Sequence, residues 1–600
     1  MLKEKKGYQV SSLNTKRETT QFLMPPYKDV KASTTQFDLY PSFSLGANKI
    51  FSGYTTLSDL IATKEVICLD GFSGVNWEIV VDDLLNALEP KNLNVKFIDF
   101  SEFLKSEKEI ESMTSPFLGD EESVWGTRCD LTMQDFFDLK KINSLKIDEA
   151  YDLTIVYGFG SNLVKFDNTL IYLDFPKNEL QYRMRAGSVT NLGLSSKKED
   201  FKMYKHYYFI DWVVMNSEKQ RLASKIDVLV DAQQEHDPSW AFMSDLKSGL
   251  EDLSKSIFRV RPWFEPGAWG GDWIKEHING LNKEVINYAW AFSLIVPENG
   301  LLFESDGRLL ELSFDFLMNQ QAENVLGSQN KKFGNEFPIR FNFLDTYKGG
   351  NLSIQCHPSL KYIQENFGEN ITQDECYYIL DCDANANVYL GFQEDIDPAK
   401  FKADLLKSQE ENVKLEITDY VQKHRSQKHD LYLIPNGTIH SAGSGNMVLE
   451  ISATPYIFTF KMYDWLRLDL NGKPRPINID HAFNNLKFEY KGENVKKELF
   501  SHKEQLETGE DYKIIHLPTH KEHFYDVRRF DFNTSIERFT DGSCQVMMLV
   551  EGERVLVETK NGYRQILNYA ETFVVPAAAE WFKLTNLGEN EIKVINSYLK

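Results

Sequence analysis

Asn351–Ser359 reads NLSIQCHPS, and its alternation is that of a short strand: Ser353, Gln355 and His357 share one face, Ile354 and Cys356 the other. A side-chain amide and an imidazole two residues apart on one face can share a metal ion. Two later segments could complete the shell, with Glu375 in TQDECYYIL and His440 in LYLIPNGTIHSAG. Gln, His, Glu and His make a nitrogen and oxygen donor set that suits Zn²⁺ and leaves room for a water or another oxygen. A histidine in a barrel strand, taken alone, is more often a core residue with one satisfied nitrogen. The conjunction of four donors on three predicted strands is what points to a metal. His277, His424, His429, His502, His516, His520 and His523 have no such partners and read as surface or structural residues.

The elements that must position these donors are short strands separated by Gly, Asn and Pro turns: GGNLSIQCHP, CYYILDC, NVYLGFQ, DLYLIPNGTIHSAG, NMVLEIS and FTFKMYDW. Such spacing predicts a sandwich or barrel. Only residues 396–428 interrupt it, as one or two helices. The region opens near Ile257 with an aromatic, glycine-rich stretch, and Tyr288–Val296, Leu309–Phe316 and Phe337–Leu344 read as further strands. LIPNGTIH (Leu433–His440) has an echo in VVPAAAEW (Val574–Trp581): His440 is five residues after Pro435 and Trp581 five after Pro576. Two mainly-β jelly rolls follow, a metal-binding one over residues 257–490 and a copy without metal ligands over 491–600.

Upstream, residues 1–60 read as a lead-in with little regular structure. Over 61–230, strand-like runs (EVICLDGFSG, NVKFIDF, YDLTIVYGFG, NTLIYLDFP) alternate with helix-forming sequence, which predicts a parallel α/β sheet. Residues 231–256 read as a linker helix. The loop DGFSGVNWE (Asp70–Glu78) resembles the phosphate loop of nucleoside kinases such as uridine kinase. A working loop of that kind ends in glycine, lysine and a hydroxyl residue, which admit, neutralise and hold Mg²⁺ against phosphate. Asn76, Trp77 and Glu78 stand there instead, so a degenerate P-loop domain that does not bind nucleotide is expected.

Six hundred residues exceed one hydrophobic core, and about two to four domains are expected. A net charge of −22 argues against non-specific binding to nucleic acid or an anionic membrane, though not against a local basic pocket. The six cysteines are scattered without a CxxC pair and read as reduced thiols of a cytoplasmic chain. No apolar run is long enough for a signal peptide or a membrane span.

LSIQCHPS, DECYYILD, YLGF, IPNGTIHSAGSGNMVLEIS and YDWLRLDLNGKPR resemble, in order, segments of the class I mannose-6-phosphate isomerases. The resemblance covers roughly residues 258–600. It implies a cupin-fold enzyme with one Zn²⁺ per chain that interconverts mannose 6-phosphate and fructose 6-phosphate, its partner being a small phosphorylated sugar. By position, Gln355, His357, Glu375 and His440 match the zinc ligands. Ser353 falls beside the phosphate-binding region, and Glu450 matches a carboxylate facing the metal. Other positions depart from the pattern. Asn342 and Gln373 replace lysines, Ala291 replaces a glutamate and Lys461 an arginine. Arg340, on the same strand face as Asn342, could supply the missing charge, and Arg467 is a second cationic candidate. An unreplaced phosphate-contacting lysine would cost about 1.5–3 kcal/mol of binding.

The resemblance therefore implies aldose–ketose isomerisation; Glu450, with metal-bound water as its rival, is the candidate to move the proton, Lys461 or Arg467 to steady the oxyanion, and Arg340 and Ser353 are the choice for phosphate. A zinc cupin that binds a sugar without converting it, an isomerase for another sugar, a phosphotransferase in the N-terminal half, and a scaffold remain as rival readings.

Overall fold

Val66–Gly71 (VICLDG) is apolar over most of its length, as a strand covered on both faces must be. In the computed structural model it is the middle one of five parallel strands within a seven-stranded sheet. The structure describes residues 16–28, 36–121, 123–296, 298–453 and 458–600. Leu153–Tyr157 and Thr169–Asp174 flank the central strand in parallel, and Val95–Asp99 and Val228–Asp231 extend the parallel set on either side. Counted along the chain, these five strands lie in the order 2-3-1-4-5, so the strand order reverses at the C-terminal end of the first.

Ser239–Phe242 joins this sheet antiparallel, and Phe51–Ser52 pairs with it. Both depart from expectation. The lead-in contains Ser42–Ser44, Phe51–Ser52 and the start of the helix Gly53–Ile61, and the stretch read as a linker contributes a strand before its helix, Met243–Leu253. Strands of two to four residues are too short to display an alternation, and pairing alone creates them.

The loop after the central strand is filled by its own chain. Gly74 has φ +94°, and a Cβ there would lie 2.5 Å from Leu180 Cδ1. Arg183 Nη1 donates to Gly74 O at 3.0 Å. The buried ammonium groups of Lys177 and Lys219 lie 5.3 and 4.3 Å from the Phe72 ring centre. They pair with Asp315 at 2.6 Å and Asp174 at 2.9 Å respectively. Lys219 also donates to Ser313 Oγ at 2.7 Å. Ser313 and Asp315 belong to the end of the hairpin Gly300–Ser305 and Arg308–Ser313 and the helix that follows, so this contact docks the sheet onto the rest of the chain.

Two further sheets face each other across a core that includes Leu344, Tyr377, Val388, Leu390 and Val448. One has six strands: Leu431–Ile434, Asp374–Cys382, Asn446–Ala453, Arg340–Asp345, Trp290–Leu294 and Trp263–Glu265. The other has five: Val421–Arg425, Asn387–Phe392, His440–Ala442, Ile354–Cys356 and Phe460–Tyr463. Within the expected helical insertion, Pro398–Glu411 is a helix, but Val421–Arg425 is an edge strand. Of its five residues only Val421 is buried, and the charged Lys423 and Arg425 that suit an exposed edge disguise it in the sequence.

The C-terminal segment forms a six-stranded and a four-stranded sheet around a separate core with Phe530, Met547, Val557, Phe573 and Phe582. Leu431–Ile434 leads through Pro435 to a strand opening at His440, and Thr572–Val575 leads through Pro576 to one opening at Trp581. None of the six cysteines is in a disulfide. Among the described residues no helix is long and apolar enough to cross a membrane.

Candidate metal centre and adjoining cavity

Gln355 stands directly opposite His440 on one neighbouring strand and opposite Lys461 on the other. Glu375 reaches the same place from the facing six-stranded sheet. His357 Nδ1 lies 3.0 Å from Phe458 O, and His440 Nδ1 lies 2.9 Å from Thr438 O. A carbonyl can only accept, so each Nδ1 carries the proton and each Nε2 presents a lone pair. Both lone pairs meet Glu375 Oε1, at 3.3 Å from His357 Nε2 and 2.9 Å from His440 Nε2. Glu375 Oε2 is taken by the Gln373 amide at 2.7 Å.

Three acceptor atoms thus converge within 4.8 Å of one another, on residues no more than 1% exposed. His357 Nε2 and Glu375 Oε1 have no hydrogen-bond partner. Buried lone pairs facing one another are costly unless a cation or a proton lies between them. Two imidazoles and a carboxylate arranged this way fit a divalent ion such as Zn²⁺. Gln355 Nε2 lies 3.3 Å from His440 Nε2, and its Oε1 accepts from Ser353 Oγ at 2.9 Å. A half-turn of that amide would present its oxygen to the cluster, with the serine hydroxyl accepting instead.

Burial raises the Glu375 carboxyl, and only with a proton on the facing imidazoles do the charge and hydrogen bonds of His357 and His440 outweigh it and hold the group below the usual carboxylate range. Glu450 is driven the other way. Burial, then the neighbouring Glu375 charge, push it well above its ordinary value, partly opposed by Asn342 and Ser452.

A cavity of about 510 Å³ opens beside the cluster. Ser353, Gln355, Gln373, Asn342 and Glu450 line it, with the cations Arg340, Lys461 and Arg475. Trp263 and Phe292, stacked at 3.9 Å, and Trp290 form an apolar wall. Strand pairing places Asn342 opposite Glu450, and its amide donates to Glu450 Oε2 at 3.3 Å. Burial lowers the Lys461 ammonium to about 8, with Arg475 and Arg467 adding repulsion and Asp464 partly opposing them.

Of the nine expected site residues, His357, Glu375 and His440 form the cluster, and Gln355, Glu450, Lys461, Ser353 and Arg340 line the cavity beside it. Arg467 is not among the lining residues. Trp465 and Leu466 both have left-handed backbone (φ +58° and +54°), and after this turn Arg467 donates to Asn351 O at 2.7 Å and pairs with Asp464. Arg475, held by Asp464 at 2.7 Å, stands in the cavity instead. It closes the same YDWLRLDLNGKPR segment, and that nearness was the available signal. Val124, Trp125 and Arg185, from the N-terminal α/β unit, also line the cavity, and no motif pointed to them.

A larger cleft, about 1300 Å³, lies where the units meet and is lined by Arg128, Asp315, Lys332, Asp374 and Glu522 among others. It holds charges of both signs and none of the cluster residues. The smaller cavity is the one with convergent chemistry.

Residues 53–255 match a family described as a domain of unknown function, DUF8485. Over 329 residues, 55% of this chain and 96% of the relative, the chain is 21% identical to the mannose-6-phosphate isomerase ManA of Bacillus subtilis (strain 168). Over 216 residues, 36% of this chain and 62% of the relative, it is 27% identical to a mannose-6-phosphate isomerase of Streptococcus mutans. The crystal structure of a mannose 6-phosphate isomerase from Bacillus subtilis covers 57% of this chain and 99% of its own, at 22% identity and a TM-score of 0.46. The chain is therefore homologous, over part of its length and at low identity, to proteins named mannose-6-phosphate isomerases.

Proposed function

We propose that this chain is a zinc-dependent aldose–ketose isomerase of phosphorylated sugars, with mannose 6-phosphate, the sugar in its relatives' names, and fructose 6-phosphate as the pair the family resemblance implies. The observation that carries this reading is the buried convergence of His357, Glu375 and His440 beside a cavity containing three cationic side chains from the same part of the chain. Gln355, His357, Glu375 and His440 would hold one Zn²⁺, which when bound supplies Lewis-acid polarisation of the sugar oxygens.

The remaining work falls to the protein's own groups. A proton must move between C2 and C1 of the open-chain sugar, and Glu450 is suited to it. It lines the cavity, Asn342 fixes one of its oxygens, and its raised proton affinity suits a group that must both accept and return a proton. Lys461 offers positive charge to the developing enediolate oxygen. Ser353 Oγ hydrogen-bonds the Gln355 amide, accepting from it once the amide oxygen turns to the metal, which makes it a positioning residue for that ligand, and the phosphate falls to Arg340 and Arg475.

A second reading, a zinc cupin that binds a sugar without converting it, is favoured by one observation. Asn342 and Gln373, which stand where the resembling family has lysines, spend their amides on Glu450 and Glu375. Metal analysis with an isomerase assay across mannose, glucose, arabinose and ribose phosphates separates the two. Stoichiometric zinc with turnover of one of them supports the enzyme, whereas zinc without turnover of any supports the binder.

The N-terminal unit we read as a degenerate relative of nucleoside kinases. Its 2-3-1-4-5 strand order supports that reading, and the packing of Leu180 against Gly74 supports a loop that does not take nucleotide. The C-terminal sheet pair is read as a second cupin without ligands, and the protein as cytoplasmic.

A further inference from the structure

The cavity beside the cluster has walls from two units. Ser353, Gln355 and Lys461 come from the metal-binding sandwich, and Val124, Trp125 and Arg185 from the α/β unit. The latter three lie within residues 53–255, the segment matched by the domain of unknown function. We propose that this unit completes the sugar-phosphate site, with Arg185 as an anion-binding residue and Trp125 as the fixed wall that limits what enters. The inference rests on the isomerase reading above and deepens it.

The wall is built rather than incidental. Trp125 is 4% exposed and packs edge-on against Phe460 at 5.0 Å and His481 at 5.1 Å, and Phe460 is the residue before Lys461. Its loop is anchored to both units. Thr127 N donates to Phe117 O at 2.7 Å and Cys129 N to Phe209 O at 2.9 Å, within the α/β unit. Arg128 N donates to Phe367 O at 3.1 Å, across to the sandwich. Gly126 is required by the close passage, since a Cβ there would sit 2.3 Å from Phe117 O. A loop tied to both units immediately after Trp125 presents that side chain with little ordering cost when ligand arrives.

Arg185 lies in the last turn of the helix Lys177–Ala186, its guanidinium 5.8 Å from the Tyr182 ring centre. Its Nη1 donates to Glu265 Oε1 at 2.9 Å, and Glu265 belongs to the edge strand of the six-stranded sheet. This ion pair therefore joins the two units at the cavity. With Arg185, the lining holds Arg185, Arg340, Lys461 and Arg475 against two carboxylates, Glu265 and Glu450. That balance suits a phosphomonoester, whose planar-fork recognition by a guanidinium is worth more than a point charge. Trp263, Trp290 and Phe292 offer the apolar face against which a sugar carbon skeleton packs. Glu265 competes with an incoming phosphate for Arg185, so the two neighbours should act with opposite sign.

The test uses the full-length, zinc-loaded chain. The probes are fructose 6-phosphate and unphosphorylated fructose, read by titration calorimetry and, for the phosphate, by turnover. Arg185→Ala should weaken fructose 6-phosphate binding about ten-fold or more, with the rise in KM exceeding the fall in kcat, and Arg185→Lys should recover part of it. Glu265→Gln should tighten binding of the phosphate, a change that a merely structural pair would not produce. Zinc content should stay the same in all variants, and affinity for fructose should not follow the Arg185 series. The inference is overturned if the wild type converts fructose 6-phosphate and Arg185→Ala and Glu265→Gln both bind it as the wild type does, while the isomerase reading then stands. If the wild type neither binds nor converts any sugar phosphate, both fall together.

Discussion

On the proposed reading, removal of zinc should lower the melting temperature of the sandwich that carries the His357–Glu375–His440 cluster, by an amount that follows from how the donors are held. Glu375 sits on one sheet, and Gln355, His357 and His440 on or beside strands of the facing sheet, so an ion shared among them would tie the two layers together. None of these groups is so arranged in the unfolded chain, and ligand binding therefore counts as folding free energy. With free zinc about 1,000-fold above Kd the gain is about 4 kcal/mol. For a cooperative unit of about 150–250 residues each kcal/mol moves the midpoint by about 2–4 °C, which gives a shift of about 8–16 °C. Differential scanning calorimetry of zinc-loaded and chelator-treated chains measures it.

Glu375→Gln sharpens the test. Its amide can donate to the Nε2 lone pair that Glu375 Oε1 now faces at 2.9 Å, satisfying without metal what the carboxylate leaves repelling. This variant should lose the response to zinc, yet melt above the chelated wild type, by about 1–3 kcal/mol of stability. Equal melting of the loaded and chelated wild type, within about 2 °C on the same scale, would refute the reasoning that the buried acceptors await a cation.

The other predictions concern single groups. Glu450→Gln should keep its zinc and lose about 10²–10⁴-fold in turnover in a coupled fructose 6-phosphate assay; near-normal turnover would place the proton transfer elsewhere. Because burial brings Lys461 down to about 8, its charged form is present below that pH and lost as pH rises through it. The rate should therefore fall on the alkaline side of about pH 8, and Lys461→Arg, which stays charged, should abolish that limb; a limb unmoved in the variant removes Lys461 from the assignment. Gly74→Ala, at φ +94° and 2.5 Å from Leu180 Cδ1, should cost about 1–3 kcal/mol in a urea melt without changing zinc content. ATP or UTP should leave the melting curve unmoved, and a saturable rise with either would show that the Gly74 loop still takes nucleotide.

Much of the centre was legible because alternation in a strand is a local property. Ser353, Gln355 and His357 share a face whatever lies beyond them, and the donor types on the other two segments are plain to read. The cationic lining was less legible. Arg467 and Arg475 lie in the same segment, and only the left-handed turn at Trp465 and Leu466 decides that the first returns to Asn351 while the second lines the cavity. The short strands at Phe51–Ser52 and Ser239–Phe242 escaped notice because two to four residues carry no measurable period.

Sequence alone determined which donors exist and which way each strand turns them, since both follow from residue type and a period of two. Tertiary structure decided that Gln355 pairs opposite His440 and Lys461, and that backbone carbonyls at Phe458 and Thr438 set both imidazole tautomers. It also decided that Trp125 and Arg185 close the cavity from a different unit. Register between distant strands and the docking of one unit on another arise from packing among residues far apart in the chain, and no local pattern records them.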